Sequence, residues 1–199
     1  MSSELNPIRS VAIYCASSTK IKPIYYDVAR QLGRGLAERG VTIVNGAGNM
    51  GLMQASSDAC LEAGGKVIGV IPEFMIEQGW HHKGLTELIV TPSMETRKRR
   101  INEITDAAII LPGGCGTLDE FFEIVTLKQL GMYLKPIIVL NVDGFYDLLL
   151  QHLQRTMDEN FMRQQHRDIW RVARNAEEAI EYIFTTPLID ESIRRFAKI

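Results

Sequence analysis

Six short apolar runs, rich in β-branched residues, punctuate the chain, and they show little alternation with polar residues. They are SVAIYC from Ser10, VTIVN from Val41, KVIGVI from Lys66, ELIVT from Glu87, AAIIL from Ala107 and PIIVLN from Pro136. A strand with one wet face alternates apolar and polar side chains, whereas a strand covered on both faces reads as a continuous apolar run. Stretches of helical periodicity separate the runs, at Pro23–Arg39, Met50–Ala63, Ser93–Thr105, Leu118–Leu130 and Phe145–Glu159. A brief run, DIWRVA, precedes a last helix from Ala176 to Phe184. Strands alternating with helices in this way predict an α/β fold built on a doubly wound parallel sheet with helices on both faces. The 199 residues, 46% of them hydrophobic, suffice for one well-filled core. No repeat, low-complexity segment or Pro/Gly-rich linker interrupts them, so residues 1–199 read as a single domain.

Charge and cysteine usage narrow the function classes. A net charge of −2 gives no electrostatic footprint for nucleic acid or for an acidic membrane. The basic run Arg97–Arg100 is local, and Glu95 and Glu103 dilute it. Cys15, Cys60 and Cys115 are odd in number and lack metal-type spacing, which fits reduced thiols in a cytoplasmic protein. The start, MSSELNPIRS, lacks the apolar stretch of a signal peptide, and no apolar run reaches membrane-spanning length. His81 and His82 are adjacent, and His152 and His166 are isolated, so no metal site is expected.

In a doubly wound sheet, ligands sit where strands lead into helices. Two such junctions are glycine-rich, NGAGNMG from Asn45 and LPGGCGTLDE from Leu111. Backbone without Cβ approaches a ligand closely, and free N–H groups at a helix start attract phosphate. In the second loop Gly113, Gly114 and Gly116 precede a helix for which Thr117 is the expected N-cap. No Lys-Ser/Thr follows, so this is not a P-loop. In the first loop Gly46, Gly48 and Gly51 match the dinucleotide fingerprint, but after the second strand, with Glu73 as the acidic residue just beyond a Pro. Two loops facing one crevice suit a mononucleotide at least as well as NAD, and a dinucleotide oxidoreductase stays open as a rival.

The stretch SMETRKRRINEI adds a sharper constraint. At about 100° per residue, Arg97 falls on the apolar stripe of Met94, Ile101 and Ile104, while Lys98 lies near its edge and Arg99 opposite. A guanidinium aimed at a core needs an anionic partner. Glu120 is the candidate, with Glu123 one turn on. Its spacing from Thr117 also fits a capping box, so a cap and a catalytic carboxylate are both open readings. The same helix is apolar nearly all round: Leu118, Phe121, Phe122 and Val125 form one stripe, and Ile124, Leu127 and Leu130 cover much of the other side. Such a helix is buried on both faces, either at an isologous dimer interface or inside one chain. Trp80, beside the paired histidines, either covers a pocket or packs.

SMETRK followed by DAAIILPGGCGTLDEFFE resembles the Lonely Guy family, the cytokinin-activating phosphoribohydrolases, whose members have often carried the label lysine decarboxylase. The hallmark is Pro-Gly-Gly-x-Gly-Thr-x-x-Glu preceded by an Arg-Lys pair, and Pro112 to Glu120 fits it throughout. CASS near Cys15, GLMQA at Gly51, GVIP at Gly69, QLG at Gln129, KPIIVLN at Lys135 and GFYDLLL at Gly144 extend the likeness from about Val11 to Ile183. The resemblance implies a Rossmann-like fold and a homodimer. It also implies hydrolysis of the N-glycosidic bond of a nucleoside 5′-monophosphate, AMP or N6-prenylated AMP, to free base and ribose 5-phosphate, without metal or redox cofactor. It gives Arg97 and Glu120 the catalytic places and Lys98, Gly114, Gly116, Thr117 and Thr126 substrate-binding ones, with Gly113 helping to form the binding loop. Cys115 occupies the motif's variable position, which makes it filler rather than a nucleophile.

The chain also departs from the family pattern. NGAG replaces Tyr-Gly-Gly-Gly, so Ala47 stands for a glycine; CASS replaces Cys-Gly-Ser-Ser; Asp119 stands where Glu is frequent. A substrate-contacting Glu of plant members aligns with Gly79, with Glu77 nearby. These changes leave the phosphoribosyl end of the resemblance in place and the base specificity open. A nucleotide-binding or sensor protein without hydrolysis is the alternative. Lysine decarboxylation would need a pyridoxal-binding lysine, and no residue marks one.

Overall fold

The computed structural model describes residues 7–197. The first six residues of MSSELNPIRS, on which the signal-peptide reading partly rests, lie outside that range. Seven strands form one parallel sheet: β1 (Ser10–Tyr14), β2 (Thr42–Asn45), β3 (Val67–Pro72), β4 (Glu87–Thr91), β5 (Ala107–Ile110), β6 (Ile137–Leu140) and β7 (Arg171–Ala173). Their order is β4-β3-β2-β1-β5-β6-β7, so winding reverses between β1 and β5. The helices are α1 (Pro23–Glu38), α2 (Gly51–Glu62), α3 (Glu73–Glu77), α4 (Met94–Ile104), α5 (Cys115–Gln129), α6 (Asp147–Asp158) and α7 (Ala176–Thr185).

Strand side chains point alternately to the two faces, and β1 shows the division. Val11 and Ile13 join Leu32 of α1, Leu52 of α2 and Ile180 of α7 in one core cluster. Ala12 and Tyr14 join Ile101 of α4, Phe121 of α5 and Leu153 of α6 in the other. The sheet is thus doubly covered, as the unalternating runs require. The two edge strands depart from that expectation, β7 with Val172 exposed and β4 more strongly. In β4, Leu88 and Val90 are exposed. The five-residue α3 is too short to show a period, and the sequence reading has no counterpart for it. Among the described residues no helix is long and apolar enough to cross a membrane.

Two details of α5 differ from the sequence reading. The helix begins at Cys115 rather than Leu118, with Gly114 as N-cap and no side-chain cap. Thr117 therefore lies inside the first turn, with its hydroxyl against Gly113. A Cβ at Gly113 would fall 2.1 Å from Thr117 Oγ1, so the glycine makes room for the hydroxyl. The side-chain cap belongs to α4, where Ser93 Oγ accepts from Thr96 N–H and Thr96 Oγ1 accepts from Ser93 N–H.

Near the other end of α5, Lys128 is fully buried, and its ammonium donates to the carbonyl of Lys135. No carboxylate among the described residues pairs with it. Burial lowers its pKa to about 8, against an ordinary 10.5. The unfolded chain then holds more protons than the folded one between those values, so stability rises with pH across that window. At pH 7 the buried charge costs about 3 kcal/mol. Lys128→Met is expected to raise Tm at pH 7 by a few degrees. The gain is smaller than the full cost because the Lys135 carbonyl loses its donor. The gain should shrink toward pH 10, as thermal melts at the two pH values would show.

Candidate functional site

The strand ends around the reversal point open into a cavity of about 580 Å³. It is lined by the loops after β1, β2 and β5, by α3 and the segment after it, and by the N-terminal turns of α2, α4 and α5. At its floor lies the ion pair that the helical period of SMETRKRRINEI demanded. The Ser93 cap starts α4, and one turn later Arg97 shares the buried face with Ile101. Arg97 Nε donates to the carbonyl of Val70 at 3.0 Å, and Nη1 donates to Glu120 Oε1 at 3.1 Å. Arg97 is 6% exposed and Glu120 8%.

This geometry removes the capping reading of Glu120, because its carboxylate meets Arg97 rather than closing a capping box. Burial pushes the carboxyl from its usual 4.5 up to about 7, while Arg97 pulls it down. A carboxyl poised near neutrality, in a cavity, beside a fixed cation, is suited to proton transfer.

One glycine of NGAGNMG serves this pair. A Cβ at Gly46 would lie 1.8 Å from Arg97 Nη2, so the residue is glycine because the guanidinium occupies that space. Gly51 has a φ of +65°, and a Cβ there would lie 2.6 Å from the backbone of Ser17. Glu73 is exposed on α3 and does not line the cavity. The fingerprint thus reflects packing within the protein, and the dinucleotide reading loses its basis. Gly46→Ala is expected to displace the guanidinium and destabilise the fold by about 3 kcal/mol, the lower end for a broken buried pair. In Gly48→Ala the new methyl would meet the Met53 sulfur, near the end of an unbranched side chain, at 3.0 Å, and the loss should be much smaller. Urea unfolding of the two variants makes the comparison.

Of the sequence-derived site residues, Arg97, Glu120, Gly114, Gly116 and Thr117 line the cavity together. Gly113 stands behind Thr117. Lys98 and Thr126 lie elsewhere. Lys98 Nζ pairs with Asp119 at 3.0 Å and with Glu123 at 2.5 Å. Thr126 borders a shallow groove on the outer face of α5 with Phe122 and Leu127. That helix is buried in its own chain through Phe121, Ile124 and Val125, while Phe122 and Leu130 face outward.

The sequence reading missed part of the lining. Ser17 and Ser18 after β1 contribute, as do Met50, Met53 and Met75; Met94 turns into the cavity rather than the core. Trp80 lines it as well. A bridge between Gly48 and His81 ties its segment to the loop after β2, as do bonds from Asn49 N–H to Trp80 O and from His82 N–H to Ala47 O. His82 Nε2 also meets Asp58 Oδ1 at 2.7 Å. Ala47 has a φ of +59°, a conformation that suits the glycine it replaces in the family pattern.

Residues 53–183 match the family described as "Possible lysine decarboxylase". The chain is 38% identical over 175 residues to the cytokinin riboside 5′-monophosphate phosphoribohydrolase LOG2 of Arabidopsis thaliana, covering 88% of this chain and 82% of that protein. It is 39% identical over 172 residues to the cytokinin riboside 5′-monophosphate phosphoribohydrolase LOG of Oryza sativa subsp. japonica, covering 86% and 71%. Among solved structures, the molybdenum cofactor binding protein of Rippkaea orientalis superposes with a TM-score of 0.68 at 24% identity, over 89% of this chain and 96% of that one, a likeness of fold. With Pro112–Glu120 at the cavity and relatives this similar over most of their length, the chain belongs to the family described as "Possible lysine decarboxylase", the Lonely Guy family whose motif it carries.

Proposed function

We propose that the chain, acting as one domain, hydrolyses the N-glycosidic bond of a nucleoside 5′-monophosphate, AMP or an N6-modified AMP of cytokinin type. The products are free base and ribose 5-phosphate. The observation that carries this reading is the buried Arg97–Glu120 pair at the floor of a cavity whose wall is the glycine-rich start of α5. Free N–H groups at that helix start, from Gly114, Gly116 and Thr117, take the 5′-phosphate. The ribose then lies over Glu120. As the bond from C1′ to the base lengthens, positive charge grows on the ribose, and the carboxylate stabilises it. Water adds to C1′ and gives its proton to Glu120, and the bonding pair leaves with the base, which is then protonated. Nε and Nη1 of Arg97 are already engaged by Val70 and Glu120, so in this scheme Arg97 orients the carboxylate and keeps part of it ionised.

The names of the similar plant proteins support the same activity. No lysine lines the cavity, so the decarboxylase label finds no group there for a Schiff base with pyridoxal. Nothing in the cavity favours the alternative of a binding protein without hydrolysis. The outward Phe122 and Leu130 on α5 support a homodimer, with Lys98 and Thr126 near the same face. Three free thiols support a cytoplasmic location.

Incubating the protein with AMP, N6-modified AMP and adenosine, with chromatographic detection of free base, tests the reading. Base is expected from the monophosphates and far less from the nucleoside. AMP binding in calorimetry with no base released over hours would replace it with the sensor.

A further inference from the structure

Two neighbouring stretches of the cavity wall come from different parts of the chain. The loop after β2 and the start of α2 contribute Asn49, Met50 and Met53, and α3 with the segment after it contributes Met75 and Trp80. Hydrogen bonds join the two at residues 47–49. Asn49 donates its backbone N–H to Trp80 O and its side-chain amide to Gly79 O, and His82 donates its N–H to Ala47 O. A further tie passes beyond this loop to the body of α2. His82 Nε2 meets Asp58 Oδ1 at 2.7 Å, about two turns into that helix. The imidazole is fixed at its other nitrogen as well. Gly84 N–H lies 3.0 Å from Nδ1 and can only donate, so the ring proton sits on Nε2 and points to the carboxylate. A Cβ at Gly84 would fall 3.2 Å from Cε1 of the same ring. The His82 side chain is thereby only 12% exposed, although it stands outside any helix or strand. Its backbone bond falls on Ala47, whose left-handed φ a residue with a Cβ keeps only where its neighbours enforce it.

Resting on the glycosidase reading above, we propose that Asp58 and His82 are a positioning pair. They hold the Trp80 segment onto the loop after β2, and so keep this wall of the nucleotide site formed before substrate arrives. Neither residue lines the cavity, and neither touches substrate in this scheme. A wall that must be ordered on binding weakens affinity and leaves the chemical step alone, so the pair acts on KM rather than on kcat.

The experiment measures base release from AMP and amide hydrogen exchange in the wild type and in variants of the pair. Asp58→Leu is expected to raise KM about 10-fold, the effect of losing a hydrogen bond to a charged but partly exposed partner, with kcat little changed. His82→Phe should do the same, and the double variant should match either single one, because both remove one interaction. Asp58→Asn keeps an oxygen that accepts from Nε2–H and should recover most of the loss. In Asp58→Leu the amides of Asn49 and His82 should exchange about 10-fold faster, while Val44 in the sheet keeps its rate. An unchanged KM overturns the proposal, as do multiplied effects in the double variant or faster exchange throughout the sheet. If the wild type releases no base, the glycosidase reading fails, and calorimetry with AMP still judges the pair. Weaker AMP binding in Asp58→Leu with local acceleration of exchange then supports it, unchanged binding overturns it, and a wild type that binds no AMP overturns both.

Discussion

Glu120→Gln is expected to release base from AMP about 10²–10⁴ times more slowly than the wild type, the range for loss of a general base. Glutamine keeps the shape of the side chain and can still accept from Arg97, but it can neither take a proton from water nor offset charge on the ribose. The pH profile provides the second readout. The ionised carboxylate is the active form, and burial has pushed its pKa up to about 7, so wild-type kcat/KM should rise with pH through an inflection near neutrality. The variant should lack that limb. Stability moves in the opposite direction. Because the folded pKa exceeds the ordinary 4.5, the folded chain holds the extra proton between those values. This contribution is fully present below about pH 4.5 and is lost as pH rises through 7, a change of about 3 kcal/mol. Through this carboxyl alone, the protein is less stable where it is more active, while Lys128 adds the opposite slope above about pH 8. Assays and urea melts from pH 5 to 9 measure both trends, and an active glutamine variant would reduce Glu120 to a structural partner of Arg97.

The sheet was legible because burial on both faces erases alternation from a strand, and the exposed edges β4 and β7 escaped that rule. Arg97 was legible for a related reason. The helical period put a cation on the apolar face of α4, and physics required an anion to meet it. Which carboxylate it met was not fixed by the period. Glu120 fitted a helix cap as well, and it was the cation on the buried face of α4, and then the motif resemblance, that favoured it over the cap. The rest depended on contacts between segments distant in sequence. Nothing local to NGAGNMG reveals that Gly46 yields its space to Arg97, or that Gly51 backs onto Ser17. A glycine N-cap leaves no side-chain signature, so the reading placed the cap on Thr117 and began α5 three residues late. Trp80 itself was read as a pocket cover or a packing residue, but the elements that hold it, a five-residue helix and a single bridge, carry no periodic signal.

Arg97→Gln should separate the two tasks open to the arginine. A neighbouring cation lowers a carboxyl pKa by about 1–3 units, so its removal leaves desolvation unopposed and moves the rising limb of kcat/KM alkaline by that amount. At pH 7 the variant should then be about 10- to 10³-fold less active, because only that fraction of Glu120 remains ionised, and part of the loss should return by pH 9. Stability should follow the same coupling. At pH 6 the carboxyl stays protonated in the variant, and no unpaired anion is buried. At pH 9 it must ionise without a partner, and the loss should approach about 3–5 kcal/mol. An arginine that instead gripped the 5′-phosphate would leave a different record. Its removal would raise KM for AMP and leave the limb near pH 7, and that result would move Arg97 from the carboxylate to the phosphate.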